Sequence, residues 1–237
     1  MDLGTILGVW AHPDDEAYLS GGIMAQSVRD GRRFVCATAT RGEAGSWDHE
    51  RWPPDELGAI REAELNDSLS ILGVDEHHWL DYPDGGCVDV DPEEATAKIS
   101  SIMQAVRPDS VLTFGPDGHT GHPDHIAVHH WTAAAFAASA QPGARLYYPC
   151  VAAGPLEELI PMFREKNIYT ADTPRILPVE QLAIYFQLPP HLVELKKKAL
   201  YAQVSQVEPV FALFSDPEAI LEAILVEEPF ELGAVKT

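Results

Sequence analysis

The chain has few cysteines, little positive charge and no long apolar run, and each shortage closes off a class of protein. Cys36, Cys87 and Cys150 are odd in number and widely spaced, with no CxxC pair, which excludes a disulfide framework and a zinc knuckle. Cys36 and Cys150 lie in apolar, strand-like stretches and read as reduced core residues. Only 16 Lys and Arg stand against 37 Asp and Glu, a formal net charge of −21. Wrapping nucleic acid or docking on anionic lipid needs the opposite balance, so neither is expected as a partner. The one basic run, Lys196 to Lys198, reads as a solvated helix face. No segment approaches the ~20 consecutive apolar residues of a membrane-spanning helix. Asp2 stands where a secretory signal would carry basic residues, so a cytoplasmic location is expected. The G-x-S-x-G motif of serine hydrolases and the G-x-G-x-x-G dinucleotide fingerprint are both missing.

What remains has a clear rhythm. Apolar, β-branched stretches at Thr5–Trp10, Phe34–Thr38, His77–Tyr82, Ser110–Phe114 and Leu146–Val151 read as strands. Between them lie segments of helical period at Gly21–Gly31, Asp55–Leu72, Pro92–Val106 and Asp124–Ala140, the last preceded by Pro123, which suits a first helical turn. A further amphipathic helix is expected over His191–Val207. This alternation predicts an α/β, Rossmann-like fold with a mostly parallel sheet flanked by helices. The length fits a single domain of residues 1–237, with a motif-bearing core over about 5–150 and a C-terminal part, 151–237, completing the pocket. The stretch Arg41–Gly58, with two Trp and a Pro-Pro pair, is too long for an ordinary connection and reads either as a lid or as a loop pinned by Trp47 and Trp52.

Two clusters carry the chemistry. AHPDDE follows the first strand, and GHPDH, Gly121 to His125, opens a later helix, so both fall at carboxyl ends of parallel strands, where ligands of such sheets bind. A catalytic divalent ion commonly takes three protein ligands and keeps one position for water. His12, Asp15 and His125 supply two imidazoles and a carboxylate of that kind. Asp14 is then left as a general base, and His122, three residues before His125, faces the substrate carbonyl to stabilise an oxyanion or protonate a leaving nitrogen. The chemistry implied is metal-assisted amide hydrolysis. His129 and His130 read as packing residues. The same two-His, one-carboxylate set describes Fe(II) oxygenases, but the strand–helix alternation and the otherwise unexplained Asp15-Glu16 pair argue against that reading.

Four motifs in order, AHPDDE, RGEAG at Arg41, PDGG at Pro83 and GHPDH, resemble the LmbE-like, PIG-L type N-acetylglucosaminyl deacetylases over Thr5 to about Trp131. The resemblance implies a Rossmann-like, zinc-dependent hydrolase that removes acetyl from an N-acetylglucosamine conjugate, a class that includes precursors of mycothiol, bacillithiol and the GPI anchor. It implies His12, Asp15 and His125 as ligands of Zn²⁺, a donor set that Fe²⁺ also suits, with Asp14 as general base and His122 beside the tetrahedral intermediate. Arg61 matches a sugar or phosphate contact. Asp84 matches a substrate-side acid, and equally a turn aspartate before two glycines. The implied partner is a small amino-sugar conjugate, and a homo-oligomer is compatible with everything above. Two positions depart from the family pattern: Thr120 stands where some members have tyrosine, and Gln203 where a histidine is expected. The alternative to catalysis is a metal-containing protein that binds an acylated sugar or thiol conjugate without turning it over.

Overall fold

The computed structural model describes residues 2–170 and 172–237. Its elements run β1 Ile6–Trp10, α1 Asp15–Arg29, β2 Phe34–Thr38, α2 Pro54–Leu72, β3 Glu76–Trp79, α3 Pro92–Val106, β4 Ser110–Leu112, α4 Pro123–Ser139 and β5 Arg145–Pro149. After these come β6 Val151–Ala152, α5 Ile160–Glu165, β7 Ile176–Leu177, β8 Ile184–Gln187, α6 Pro190–Ala202, α7 Val204–Phe211, α8 Pro217–Leu225 and β9 Glu227–Val235. Every residue of β1 and β2 is buried, as expected of parallel strands covered on both faces.

The main sheet has the order β3-β2-β1-β4-β5-β9-β8. Its first five strands are parallel, and β9 and β8 add an antiparallel edge. The chain steps outward from β1 through β2 to β3, then returns to the other side of β1 with β4. The order therefore reverses between β1 and β4, and the crevice at their carboxyl ends is the place such a sheet offers a ligand. Thr113 Oγ1 donates to Val9 O at 2.9 Å across that gap and ties the two exits together. The fold class is as expected, a mostly parallel sheet flanked by helices in one domain.

Three expectations need correction. Helix α1 starts at Asp15 rather than Gly21, because the Asp14 carbonyl already accepts from Ala17 and Tyr18 N–H groups and two acids occupy the first turn, where the helix dipole favours them. Gly21 and Gly22 lie inside this helix, and a Cβ at Gly22 would collide with Leu188. The helix expected over His191–Val207 is two helices, broken at Gln203, whose ψ of 53° leaves the helical range. Lys196 does not sit on a solvated face. It is fully buried, and its Nζ donates to Glu228 Oε1 at 2.7 Å. The same carboxylate accepts from the Gly22 and Ile23 N–H groups at 2.6 and 2.7 Å, so one ion pair locks β9, α6 and the middle of α1 together.

All three cysteines are buried thiols, in line with the reading of Cys36 and Cys150. Among the described residues, no helix is long and apolar enough to cross a membrane. Replacing Lys196 by Met leaves Glu228 as a buried charge without its cation, which costs about 3–5 kcal/mol. Urea unfolding of Lys196→Met should show that loss, and the Lys196→Met/Glu228→Gln double variant should regain part of it; a single variant within 1 kcal/mol of wild type contradicts the clamp.

Candidate metal centre

The site begins with the turn between β1 and α1. Asp14 adopts φ 106°, a conformation that costs a non-glycine residue energy and survives only where surrounding contacts impose it. Those contacts are present. Asp14 N donates to Glu16 Oε2 at 3.0 Å, and Arg61, buried on α2, donates from Nη2 to Pro13 O and from Nη1 to Gly42 O at 3.0 Å. Gly42 has φ 67°, and a Cβ there would overlap the Arg61 guanidinium, which explains the first glycine of RGEAG. The Arg61 guanidinium lies 3.6 Å from Asp14 Oδ2. Arg61 was expected at the substrate; it lines the cavity, but its bonds hold the turn that carries Asp14.

His12 is the hub. Its Nε2 is 3.1 Å from Asp84 Oδ1 and 3.3 Å from Asp124 Oδ2, so the Nε2 proton is shared with carboxylates and the Nδ1 lone pair is left for the site. His125 is fixed the opposite way: its Nδ1–H donates to Gly118 O at 2.9 Å, and its ring stacks on Phe114 at 4.0 Å. Its Nε2 lone pair then faces His12 Nδ1 at 3.2 Å. Asp15 completes the group, with Oδ2 3.6 Å from His12 Nδ1 and Oδ1 3.4 Å from His125 Nε2.

This set suits a metal ion. Donors about 2.0–2.1 Å from one centre at tetrahedral angles stand about 3.3–3.4 Å apart; His12 Nδ1 and His125 Nε2, 3.2 Å apart, come close to that spacing, and Asp15 reaches each ring through a different oxygen. Two lone pairs and a carboxylate facing one another also require positive charge between them. A second proton on His12 answers the same need: burial opposes the imidazolium, but Asp124, Asp15 and Asp84 outweigh it and raise the pKa well above the ordinary value. Donor atoms of His12, His122 and His125 also lie within 4.8 Å of one another, as do those of His12, Asp84 and Asp124. In the latter group His12 offers its protonated nitrogen, which fits an orienting shell better than a ligand set.

Asp14 and His122 flank the donors. Burial raises the Asp14 pKa to about 7, with Arg61 opposing the rise and Asp15 adding to it. His122 forms the N-cap of α4, its Nδ1 accepting from Asp124 N at 3.2 Å. Burial followed by the charge of His12 lowers its pKa. A neutral ring that accepts at Nδ1 carries its proton on Nε2, so the geometry favours a hydrogen-bond donor over an imidazolium. Asp84 lines the cavity while also bonding His12 and accepting from Ala44 N at 2.8 Å.

The sequence reading passed over three residues. Asp124, fully buried, bonds His12 and accepts from the Gly85 and Cys87 N–H groups at 2.7 and 3.1 Å, joining the PDGG and HPDH motifs. Its signal was its place inside HPDH. Glu16 and Glu64 are buried carboxylates, the first accepting from Gln203 Nε2 at 2.7 Å and the second from Ser205 Oγ at 2.6 Å. No local pattern marks those long-range partners. Gln203 thus supports the turn from behind, and Gln206 is the glutamine that lines the cavity. Thr120 Oγ1 lies 3.2 Å from His125 Nδ1. Helix α2 absorbs the end of the Arg41–Gly58 stretch, and the remaining loop is pinned by Ala44 N to Asp84 and by Gln206 Nε2 to Gly45 O. His129 is committed to Phe114 O at 2.8 Å and takes no part.

The fold and the donor set together define a Rossmann-like α/β protein with a metal-capable centre at its switch point. The chain belongs to the PIG-L family, GlcNAc-PI de-N-acetylase, whose model matches residues 7–136. It is similar to a 1D-myo-inositol 2-acetamido-2-deoxy-alpha-D-glucopyranoside deacetylase of Kineococcus radiotolerans, 38% identical over 59% of this chain and 46% of that protein. A protein of the same name from Rhodococcus jostii is 31% identical over 96% of this chain and 90% of its own length. The matches to the first of these relatives span only about half of their length. Among solved structures, N,N'-diacetylchitobiose deacetylase from Pyrococcus horikoshii superposes with a TM-score of 0.66 at 22% identity, over 98% of this chain and 84% of that one, and shows the shared fold.

Asp124→Asn keeps the shape of the side chain but removes its charge from His12, and changes of this kind in an outer shell weaken metal binding about 10–100-fold. Competition of the purified protein with a chelator for a divalent ion should show that loss, and His125→Ala should retain almost no metal. Unchanged affinity in both variants contradicts the donor set.

Proposed function

We propose that this protein is a zinc-dependent hydrolase that removes the N-acetyl group from an N-acetylglucosamine-type conjugate. The observation that carries the reading is Asp14. It is a carboxylate outside the donor set, held in strained backbone beside His12, Asp15 and His125, with a pKa of about 7, in the cavity those residues line. The names of the relatives from Kineococcus radiotolerans and Rhodococcus jostii support an amino-sugar substrate.

His12, Asp15 and His125 would hold the ion. When bound, zinc polarises a carbonyl and lowers the pKa of a water to about 7. Asp14 takes the proton from the attacking water, and a base whose pKa lies near neutrality is well matched to that transfer. Arg61 and the Asp14–Glu16 hydrogen bond keep the carboxylate aimed while it changes charge. His122 donates from Nε2 to the carbonyl oxygen as negative charge develops there, in the manner of an oxyanion hole. The C–N bond then breaks, and Asp14 hands its proton to the departing nitrogen, which leaves as the amine alongside acetate. Thr120, shorter than tyrosine, leaves the oxyanion to His122.

Primary-amine release from a panel of N-acetylglucosamine conjugates tests the reading. Chelation should abolish it and Zn²⁺ should restore it. Asp14→Ala should keep its metal and lose about 10²–10⁴ in rate, the usual contribution of a general base. An undiminished rate in Asp14→Ala removes the assignment, and a metal-loaded protein silent across the panel points instead to a binder without turnover.

A further inference from the structure

Trp47 and Trp52, the two tryptophans of the Arg41–Gly58 stretch, have opposite fates. Trp52 is buried; its N–H donates to Asp48 O at 2.7 Å and its carbonyl accepts from Ser46 Oγ at 2.7 Å, so it closes the loop on itself. Trp47 lines the cavity yet is 52% exposed, which places it at the rim, although an indole is on average well buried. Its exposure does not reflect a loose attachment. The Nε1–H donates to Gln206 Oε1 at 3.3 Å, and Gln206 Nε2 returns to Gly45 O at 3.2 Å, so the loop and α7 hold the indole by its polar edge. Among the described residues, each of the other tryptophans has a ring or a cation against it: Phe114 on Trp10, Arg51 on Trp52, Arg41 on Trp79 and Tyr82 on Trp131. Trp47 has neither. The loop also sets its distance from the reacting centre. Ala44 N donates to Asp84, which bonds His12, and the three residues from Ala44 to Trp47 span at most about 10–11 Å.

We infer that Trp47 is a specificity-determining residue, whose indole stacks on a carbohydrate ring of the substrate. The inference rests on the amino-sugar hydrolase reading. The C–H bonds on one face of a sugar ring are polarised by the attached oxygens and meet the negative face of an aromatic ring favourably, while the hydroxyl edge of the sugar needs hydrogen-bonding groups. Both are supplied side by side, by the uncovered indole and by Ser46, Asp84 and Gln206 along the same wall. An alkyl occupant would have no use for that polar rim. An indole with a purely structural task would turn inward, as that of Trp52 does. With the N-acetyl group at His12 and Asp14, two rings come within reach of Trp47: the one that carries the acetamide and the one joined to it.

Two substrates separate those rings: the methyl glycoside of N-acetylglucosamine, and a disaccharide with N-acetylglucosamine at its non-reducing end. Trp47→Leu keeps apolar bulk without an aromatic face, and Trp47→Phe restores the face without the bond to Gln206. Trp47→Leu should lower kcat/KM about two- to tenfold, the worth of an aromatic contact. The loss should appear in KM rather than kcat, as for a contact made equally in the ground and transition states, and Trp47→Phe should recover most of it. A loss already present with the methyl glycoside assigns the stack to the amino-sugar ring, and one confined to the disaccharide assigns it to the second ring. Unchanged turnover of both substrates by Trp47→Leu overturns the inference and leaves the hydrolase standing. A loss that Trp47→Phe does not recover also overturns it, since it then comes from the tie to Gln206. If neither sugar is turned over, iodide quenching of tryptophan fluorescence in the zinc-loaded protein decides, because iodide reaches an exposed indole in preference to buried ones. Protection by either sugar that is present in the wild type and missing from Trp47→Phe supports the stack; no protection, or the same protection in both proteins, rejects it.

Discussion

A buried imidazole surrounded by three carboxylates is the constraint on which the rest of this site depends. His12 follows β1, Asp15 opens α1, Asp84 lies in the loop after β3 and Asp124 in the first turn of α4 after β4, so three separate exits from the sheet must converge before any of them is satisfied. Unpaired, each buried charge would cost several kcal/mol. Paired, they fix the tautomer of His12 and aim Nδ1 at the centre where Asp15 and His125 also point. The strained φ of Asp14 belongs to the same network, since Arg61 and Glu16 impose it through hydrogen bonds to the turn. Structural order and catalytic poise here have one cause.

The switch between β1 and β4 makes such convergence available. Parallel strands leave their carboxyl ends side by side, and the reversal of strand order opens a crevice between them without interrupting any ladder. The Phe114 ring, stacked on His125 and edge-on to Trp10, carries the packing of the core directly to a donor. The aim of the His125 ring is therefore held by buried core residues of the sheet.

Much of this was legible in the sequence for identifiable reasons. Fully buried parallel strands announce themselves as apolar runs, and the HPDDE and HPDH clusters are local and dense in chemistry. Pro123 marked the start of α4 to within a residue. Gly21 and Gly22 misled, because glycines that normally open or close a helix here allow close approaches of Lys196 and Leu188. Lys196 misled in the same way: three consecutive lysines look solvated, and only the return of β9 brings Glu228 against the first of them. The partners of Asp124, Glu16 and Glu64 were invisible because they lie far off in sequence, and no local period records such a pairing.

The division of labour along the chain bears on specificity. The family match ends at residue 136, and every member of the catalytic cluster lies within it. A second hydrophobic cluster is built mostly beyond that point, by α5, α7, α8 and their connections. A fold of this kind can keep its chemistry on the motif-bearing strand ends while regions outside them shape the rest of the cavity. The C-terminal region also reaches the site through Gln203 to Glu16, Ser205 to Glu64 and Gln206 to Gly45 O, so it supports the turn that carries Asp14 as well as shaping the cavity. A substitution in the His12 network cannot be isolated, since each carboxylate there has at least two partners and removing one leaves the others unsatisfied.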